Sequence, residues 1–264
     1  MLGNKKNGLV VANWKMELSH KGEVEAAKAI KNLSKGHNWG NTKLVVCPSY
    51  PSLMAVAQEL AKVDEVEIGA QNVHSEDKGA WTGEVSINQI APFVQWCIVG
   101  HSEQRKLTGL NDEQVAQTAV RLIQYGITPI VCLGETAEQR AQDKTIEIVT
   151  GQMKQLLAFM TRMLMAKVVV TYEPVWAISA NNPMDLPDPA DMAGTMLLLR
   201  KIVSAEFGNE AAERMRVLYG GSVKESNVAE YVKEPGVNGV LVGSASTQPR
   251  QLIEIVNLVD GLIE

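Results

Sequence analysis

Three residues of different chemical type stand at the ends of short apolar runs. Lys15 follows LVVANW, His101 follows WCIVG, and Glu173 lies near the end of KVVVTYEP. A carboxylate can remove a proton from a carbon acid, and a neutral imidazole together with an ammonium can stabilise the oxyanion that forms. Asn13 and Glu103 add polar groups to the first two segments. If the fold brings these segments together, their residue types indicate proton transfer at a carbonyl compound.

Two other apolar runs end in small residues, GGS at 220–222 and GSAS at 243–246. Loops of such residues expose backbone N–H groups, which can hold a phosphate. No serine or cysteine stands beside a base as a nucleophile, so acyl transfer is not favoured. The sequence has no HExxH motif and no cluster of carboxylates, so no metal is predicted. These residues predict chemistry on a small phosphorylated carbonyl compound without a cofactor.

Each feature has an ordinary explanation when it is considered alone. A single lysine after a strand is usually solvated, a single histidine is more often structural, and Gly-Ser sequences are common in turns. The functional interpretation therefore requires a fold that gathers all of these residues at one place.

The composition is that of a globular protein without an electrostatic signal for a charged macromolecule. The 264 residues are 45% hydrophobic and 21% charged, and the net charge is −5. Because no lysine- or arginine-rich run occurs, neither a nucleic-acid partner nor a membrane partner is predicted. No apolar run reaches membrane-spanning length, and the N-terminal residues lack the apolar segment of a signal peptide. Cys47, Cys97 and Cys132 lie in apolar runs without CxxC spacing, which indicates reduced thiols in a cytoplasmic protein.

The order of apolar runs predicts the element that positions the polar residues. Eight short runs rich in valine and isoleucine are continuous rather than alternating, as is typical of strands buried on both faces of a parallel sheet. Segments with helical periodicity separate them, two of which follow Ser19 and Asn111 as N-caps. The repeat of about 33 residues predicts an α/β protein, a (β/α)8 barrel forming a single domain over residues 1–264. An open doubly wound sheet would instead place a glycine fingerprint after the first strand, where the chain reads Ala12-Asn13-Trp14-Lys15.

Eight motifs resemble the triosephosphate isomerase family, in that family's order and along nearly the whole chain. They are ANWKM at 12–16, GAQN at 69–72, TGEVS at 82–86, VGHSE at 99–103, PIVCLGE at 129–135, YEPVWAI at 172–178, YGGSVK at 219–224 and VLVG at 240–243. The resemblance implies a TIM barrel and a cofactor-free isomerase of glycolysis and gluconeogenesis. Its reaction would interconvert dihydroxyacetone phosphate and D-glyceraldehyde 3-phosphate through an enediol(ate).

The resemblance also implies a role for each matching residue in catalysis. Glu173 would be the base that moves the proton, His101 the neutral electrophile, and Lys15 the cation that stabilises negative charge. Asn13 would contact the substrate, and Glu103 would be a second carboxylate beside these groups.

Two further sets of residues are implied, one for the phosphate and one for a lid over the site. The backbone of four residues would hold the phosphate: Ser179, Ser222, Gly243 and Ser244. The lid would have its N-terminal hinge at Pro174 and Trp176, with the Trp176 indole exchanging between Tyr172 and Glu135. Ile178 and Leu241 would form an apolar clamp that removes water from the base.

The chain departs from the family pattern mainly in the lid. Residues 179–189 read SANNPMDLPDP where Gly-Thr-Gly-Lys usually begins the tip, and the segment is about three residues longer. Ser244 stands where glycine is usual, and it can still offer its N–H if its φ is not positive. We expect the lid change to affect lid kinetics more than chemistry, with the Ser179 N–H still reaching the phosphate.

The family resemblance further implies a homodimer that docks through the loop at residues 72–83, in which Thr82 would reach the partner's site. Trp81 stands at a loop tip, where a large apolar ring would be costly to leave in water, and this favours its burial in such an interface. Two other functions stay open. A related enzyme could act on a different phosphorylated carbonyl compound, and a barrel kept only for binding would be expected to have lost Lys15, His101 or Glu173.

Overall fold

Eight parallel strands form a closed barrel in sequence order, in a computed structural model that describes residues 8–181 and 185–263. The strands are β1 (Gly8–Asn13), β2 (Thr42–Cys47), β3 (Val66–Ala70), β4 (Trp96–Val99), β5 (Thr128–Leu133), β6 (Val169–Tyr172), β7 (Arg216–Tyr219) and β8 (Gly239–Val242). Leu9 of β1 pairs with Lys43 of β2 on one side and with Gly239 of β8 on the other, which closes the sheet. The predicted (β/α)8 class is therefore confirmed.

Helices connect the strands and surround the barrel. They are α1 (His20–Leu33), α2 (Leu53–Leu60), α3 (Ile87–Ile90), α4 (Ser102–Thr108), α5 (Asp112–Gln124), α6 (Ala137–Ala141), α7 (Thr145–Ala158), α8 (Arg162–Met165), α9 (Pro189–Phe207), α10 (Asn209–Arg214), α11 (Val228–Val232) and α12 (Pro249–Leu262). Short 3-10 turns occur at Tyr50–Ser52, Val175–Ala177, Ser179–Asn181 and Ser244–Thr247. None of the helices in the described ranges is long and apolar enough to cross a bilayer.

The predicted helix starts agree with the cap geometry. Ser19 precedes α1, and its side chain accepts a hydrogen bond from the N–H of Gly22. Asn111 precedes α5 and forms a capping box with Gln114. These side chains satisfy N–H groups that a helix leaves without partners in its first turn.

The apolar residues separate into two layers because both faces of each strand are covered. One buried cluster fills the barrel interior and includes Val11, Ile98, Ile130 and Leu218. The other lies between the strands and the helices. The continuous apolar runs in the sequence reflect this burial on both faces.

At the N-terminal ends of the strands, polar side chains pair with one another. Lys43 of β2 forms an ion pair with Glu67 of β3, and the indole N–H of Trp96 donates to the same carboxylate. The Arg216 guanidinium lies 5.0 Å from the Trp96 ring centroid. These contacts stabilise the end of the barrel opposite the predicted site.

Candidate active site

A cavity of about 180 Å³ opens at the C-terminal ends of the strands and gathers residues from five of them. Its lining consists of Asn13, Lys15, Glu17, His101, Glu173, Ile178, Ser179, Gly220, Gly221, Leu241, Gly243 and Ser244. Most of the predicted site residues therefore lie around a single cavity. They are separated by up to 231 positions in the sequence, from Asn13 to Ser244, and only barrel closure brings them together.

Glu173 and His101 are in direct contact at the base of this cavity. Glu173 follows β6 directly and is 2% exposed, and its Oε1 lies 2.8 Å from His101 Nε2. Its other oxygen accepts a hydrogen bond from the Ser102 N–H at 3.1 Å. Gly134 comes directly after β5, and a Cβ there would lie 2.0 Å from the Glu173 carbonyl oxygen. Only glycine therefore allows the chain to pass this close to the backbone of Glu173.

The hydrogen bonds of His101 define where its ring carries a proton. His101 is the N-cap of α4, and its Nδ1 accepts a hydrogen bond from the Glu103 N–H at 3.3 Å. Because Nδ1 acts as an acceptor, the ring proton is on Nε2, which donates to Glu173. The family resemblance implies a neutral ring, in which this single proton on Nε2 is the one available to a substrate oxygen. Burial acts to lower the pKa of His101, but the charge of Glu173 and the hydrogen bond to it outweigh burial, so the pKa lies above its ordinary value.

We expect Glu173→Gln to lower the pKa of His101, because the substitution removes the negative charge that favours the imidazolium. Between the lower and the higher pKa, the ring is charged mainly in the wild type and neutral mainly in the variant. An NMR titration of the ring nitrogens measures both values.

Glu103→Gln is the matched control for this titration, because Glu103 is the weaker of the two carboxylates that raise the pKa of His101. Its effect should have the same sign and be smaller. An unchanged pKa in Glu173→Gln would contradict the pairing. A fully protonated ring near pH 7 in the wild type would contradict a neutral electrophile.

Lys15 is held in an unusual backbone conformation by two polar side chains. Its φ is 51°, in the left-handed region that non-glycine residues rarely adopt. Its N–H donates to Asn13 Oδ1 at 3.1 Å, and its carbonyl accepts from Gln71 Nε2 at 2.8 Å. The ammonium forms an ion pair with Glu103 Oε1 at 2.6 Å. These contacts fix the ammonium at the cavity wall, and strain maintained in this way is common at functional sites.

The loops after β6, β7 and β8 contribute residues to the cavity wall. Four lining residues donate no backbone N–H hydrogen bond within the described ranges, namely Ser179, Gly221, Gly243 and Ser244. Among the described non-glycine residues only Lys15 and Asp143 have positive φ. The φ of Ser244 is therefore not positive, which is the condition under which its N–H can be offered to a phosphate. Such unpaired donors suit an anion.

Ser222 has a different position from the one expected. It does not line the cavity, and its N–H donates to the Ala177 carbonyl at 2.9 Å. Its hydroxyl also donates to Ala177 and lies 2.8 Å from the Ser179 hydroxyl. In this structure Ser222 therefore holds the segment after β6, because its backbone donor is already used and cannot face a phosphate.

The hinge side chains after β6 form one connected group. Pro174 precedes the 3-10 turn that contains Trp176, and the indole N–H donates to Glu135 Oε1 at 2.8 Å. The Tyr172 hydroxyl donates to the same carboxylate at 3.1 Å. The Arg140 guanidinium lies 3.4 Å from the Trp176 ring centroid, so a cation covers the face of the hinge indole. Tyr172 and Glu135 were the two partners expected for the Trp176 indole, and in this structure the indole binds Glu135.

Two apolar side chains line the same cavity as Glu173. Ile178 and Leu241 are 6% and 3% exposed and line the cavity, where the sequence places the clamp. Burial, followed by the charge of Glu173, raises the pKa of the Cys132 thiol well above its ordinary value. That thiol is therefore a packing group and not a nucleophile.

Sequence reasoning did not assign a role to Gln71, Arg140 or Glu17. Gln71 follows β3 directly, as Glu173 follows β6, and that position was a usable signal. Arg140 lies on α6, and no local pattern connects it with Trp176. Glu17 lines the cavity, and the sequence signal for it is its position two residues after Lys15.

The closed barrel and the cavity at its C-terminal rim define a (β/α)8-barrel enzyme. The profile of the family described as triosephosphate isomerase matches residues 8–259. A triosephosphate isomerase of Clostridium novyi (strain NT) is 36% identical over 96% of this chain and 98% of its own length. Those of Dictyoglomus thermophilum and Symbiobacterium thermophilum are 35% and 37% identical over 94% of this chain, covering 98% and 94% of their own lengths. The chain belongs to the triosephosphate isomerase family, and it is an isomerase.

Proposed function

We propose that this isomerase interconverts dihydroxyacetone phosphate and D-glyceraldehyde 3-phosphate, with Glu173 as the base. The observation that carries the proposal is the 2.8 Å contact between Glu173 and His101 in a buried cavity beside Lys15. A carbonyl substrate that replaces this contact would have a base on its carbon and two donors near its oxygen.

The reaction moves one proton between two carbons and one between two oxygens, through an enediolate. The Glu173 carboxylate removes a proton from the carbon next to the carbonyl, which leaves an enediolate. His101 Nε2–H and the Lys15 ammonium donate to the oxygens on which the negative charge develops. The proton of the neighbouring hydroxyl moves to the former carbonyl oxygen, relayed by His101 Nε2. Glu173 returns its proton to the former carbonyl carbon, so no group is consumed and no cofactor is needed.

The substrate is held through its phosphate and through polar contacts at the rim. The phosphate donors are the N–H groups that donate no backbone hydrogen bond within the described residues, those of Ser179, Gly221, Gly243 and Ser244. Lys15 adds a positive charge in a protein whose net charge is −5, and Asn13 adds an amide. Glu103 orients Lys15 through their ion pair. Ile178 and Leu241 exclude water from Glu173, which strengthens each electrostatic contact there.

A coupled assay with both triose phosphates and a panel of other sugar phosphates tests the substrate. The expected result is rapid isomerisation of the trioses and slow reaction of the rest. Faster turnover of another phosphorylated carbonyl compound would support the related enzyme that the altered lid sequence leaves open. No turnover of any compound, with intact folding, would point to a binding protein.

The same proposal places the enzyme in glycolysis and gluconeogenesis, in the cytoplasm, as a single domain over residues 1–264 that works as a homodimer. The loop at 72–83 is the proposed docking element. Trp81 in this loop is 52% exposed, with its ring 4.5 Å from that of His74, and Met16 beside the site is 95% exposed. Leaving these two large apolar side chains in water is unfavourable, and a partner subunit that buried them would remove this cost.

A substitution at Trp81 tests the dimer. We expect Trp81→Asp to shift the protein from dimer to monomer at micromolar concentration and to lower activity, because it puts a charge into the proposed interface. Light scattering measures the mass, and the coupled assay measures activity on the same sample.

Met163→Asp is the matched control, because Met163 is 79% exposed on α8, outside the proposed interface. It should leave both mass and activity unchanged. A fully active wild-type monomer at micromolar concentration would refute the proposed dimer.

A further inference from the structure

Two buried tyrosines that have no role in the proposed mechanism stack on each other next to the β7 loop. Tyr219 is the last residue of β7 and Tyr231 lies on α11, and they are 0% and 2% exposed. Their ring centroids are 4.2 Å apart with the planes inclined by 27°. Stacked rings of this kind have a fixed geometry, so each ring restricts the position of the other.

Tyr231 also holds the chain that runs from β6 to α9. Its hydroxyl donates to the Pro187 carbonyl at 3.1 Å, in a buried contact. Pro187 is buried, whereas Asp185, Leu186 and Asp188 around it are exposed. Proline has no N–H, so this carbonyl is its one backbone hydrogen-bonding group. The contact therefore fixes the chain one residue before Asp188, the N-cap of α9.

Tyr219 connects this contact with the cavity. A Cβ at Gly221 would lie 2.1 Å from the Tyr219 hydroxyl, so the Gly221 backbone packs directly against that side chain. Gly220 and Gly221 line the cavity, and Ser222 next to them holds Ala177. The Tyr219 hydroxyl has no hydrogen-bond partner in residues 8–181 and 185–263. Packing, including the ring of Tyr231, therefore determines where Tyr219 and Gly221 lie.

We propose that Tyr231 is a positioning residue for phosphate binding. Its ring holds Tyr219 against Gly221, and its hydroxyl holds Pro187 at the end of the β6–α9 connection. The Gly221 donor is thereby kept in one arrangement by a residue that does not touch the substrate. The inference rests on the proposed function only in taking the Gly221 N–H as part of the phosphate site.

Binding of inorganic phosphate, measured by calorimetry, tests the inference without requiring activity. Tyr231→Phe keeps the ring and removes the contact with Pro187, and Tyr231→Leu removes both contacts. We expect the phosphate Kd and the substrate KM to rise by about threefold to tenfold in Tyr231→Phe, as for the loss of one buried hydrogen bond. The rise in Tyr231→Leu should be larger. In both variants kcat should fall less than KM rises, and amide exchange across 185–193 should be faster.

Ser34→Ala is the matched control, because its hydroxyl also donates to a buried carbonyl, that of Ile30 at 2.8 Å, away from the cavity. It should lower the Tm and leave the phosphate Kd unchanged. If Tyr231→Phe behaved in the same way, with wild-type phosphate affinity and KM, Tyr231 would be a structural residue and the inference would be overturned. Weaker phosphate binding in the Tyr231 variants of a protein that did not isomerise trioses would support the inference and refute the proposed function.

Discussion

Glu173→Gln should lower kcat by about 10²–10⁴-fold, the usual contribution of a well-placed proton-transfer group. The amide has nearly the same shape and can still accept from the Ser102 N–H that contacts Glu173 Oε2 at 3.1 Å. It cannot accept a proton from carbon. Glu173→Asp should also lower kcat, because its carboxylate lies about one methylene further from the substrate carbon. Steady-state kinetics with D-glyceraldehyde 3-phosphate in a coupled assay measures both effects.

Glu23→Gln distinguishes loss of chemistry from loss of folding. Glu23 is also a fully buried carboxylate, and it accepts hydrogen bonds from the N–H and hydroxyl of Ser49 at 2.8 and 2.6 Å. Its substitution should lower the free energy of unfolding by about 1–3 kcal/mol and leave kcat nearly unchanged. If Glu173→Gln kept more than about a tenth of wild-type activity, Glu173 would not be the base.

Lys15→Met should raise KM and lower kcat together, because the ammonium acts on both the bound substrate and the charge that develops during reaction. The loss of one such donor from a site of this kind typically lowers kcat by about 10²–10³-fold. The fold should be little affected, since Glu103, the partner left behind, has a side chain that is 42% exposed and can be solvated. Initial rates over a range of substrate concentrations separate the two parameters.

Lys43→Met provides the comparison at the other end of the barrel. Lys43 also pairs with a glutamate, Glu67, but it lies at the N-terminal ends of the strands. Its loss should change the Tm without changing KM. Wild-type kinetics in Lys15→Met would show that Lys15 is a solvated surface residue, as a single lysine after a strand usually is.

The strands could be predicted from the sequence because burial on both faces leaves a continuous apolar run. The prediction places β1 at Leu9–Trp14 and the structure places it at Gly8–Asn13. The polar residues that end these runs then fall at one rim, because all eight strands are parallel. Lys15, His101 and Glu173 could therefore be assigned to one cavity before any distance was known.

Contacts that depend on the path of a loop could not be predicted in the same way. The sequence places Ser222 at the phosphate, but its N–H is taken by Ala177, and no local pattern shows which loop lies next to it. The φ of Lys15 depends on Gln71, which is 56 residues away. The contact between Tyr231 and Pro187 joins residues of two different connections. Such pairings follow from packing in three dimensions and leave no periodic signal along the chain.

The anchoring of the β6–α9 connection at Ala177 and at Pro187 has a consequence for how its length can change. The conformational entropy lost by a chain with both ends fixed grows with the logarithm of its length, and doubling that length costs only about 0.6 kcal/mol. The additional residues in 179–189 are far from a doubling, so their entropic cost is smaller still. Insertions between the two anchors should therefore be tolerated during evolution and in engineering, whereas the loss of either anchor should weaken phosphate binding.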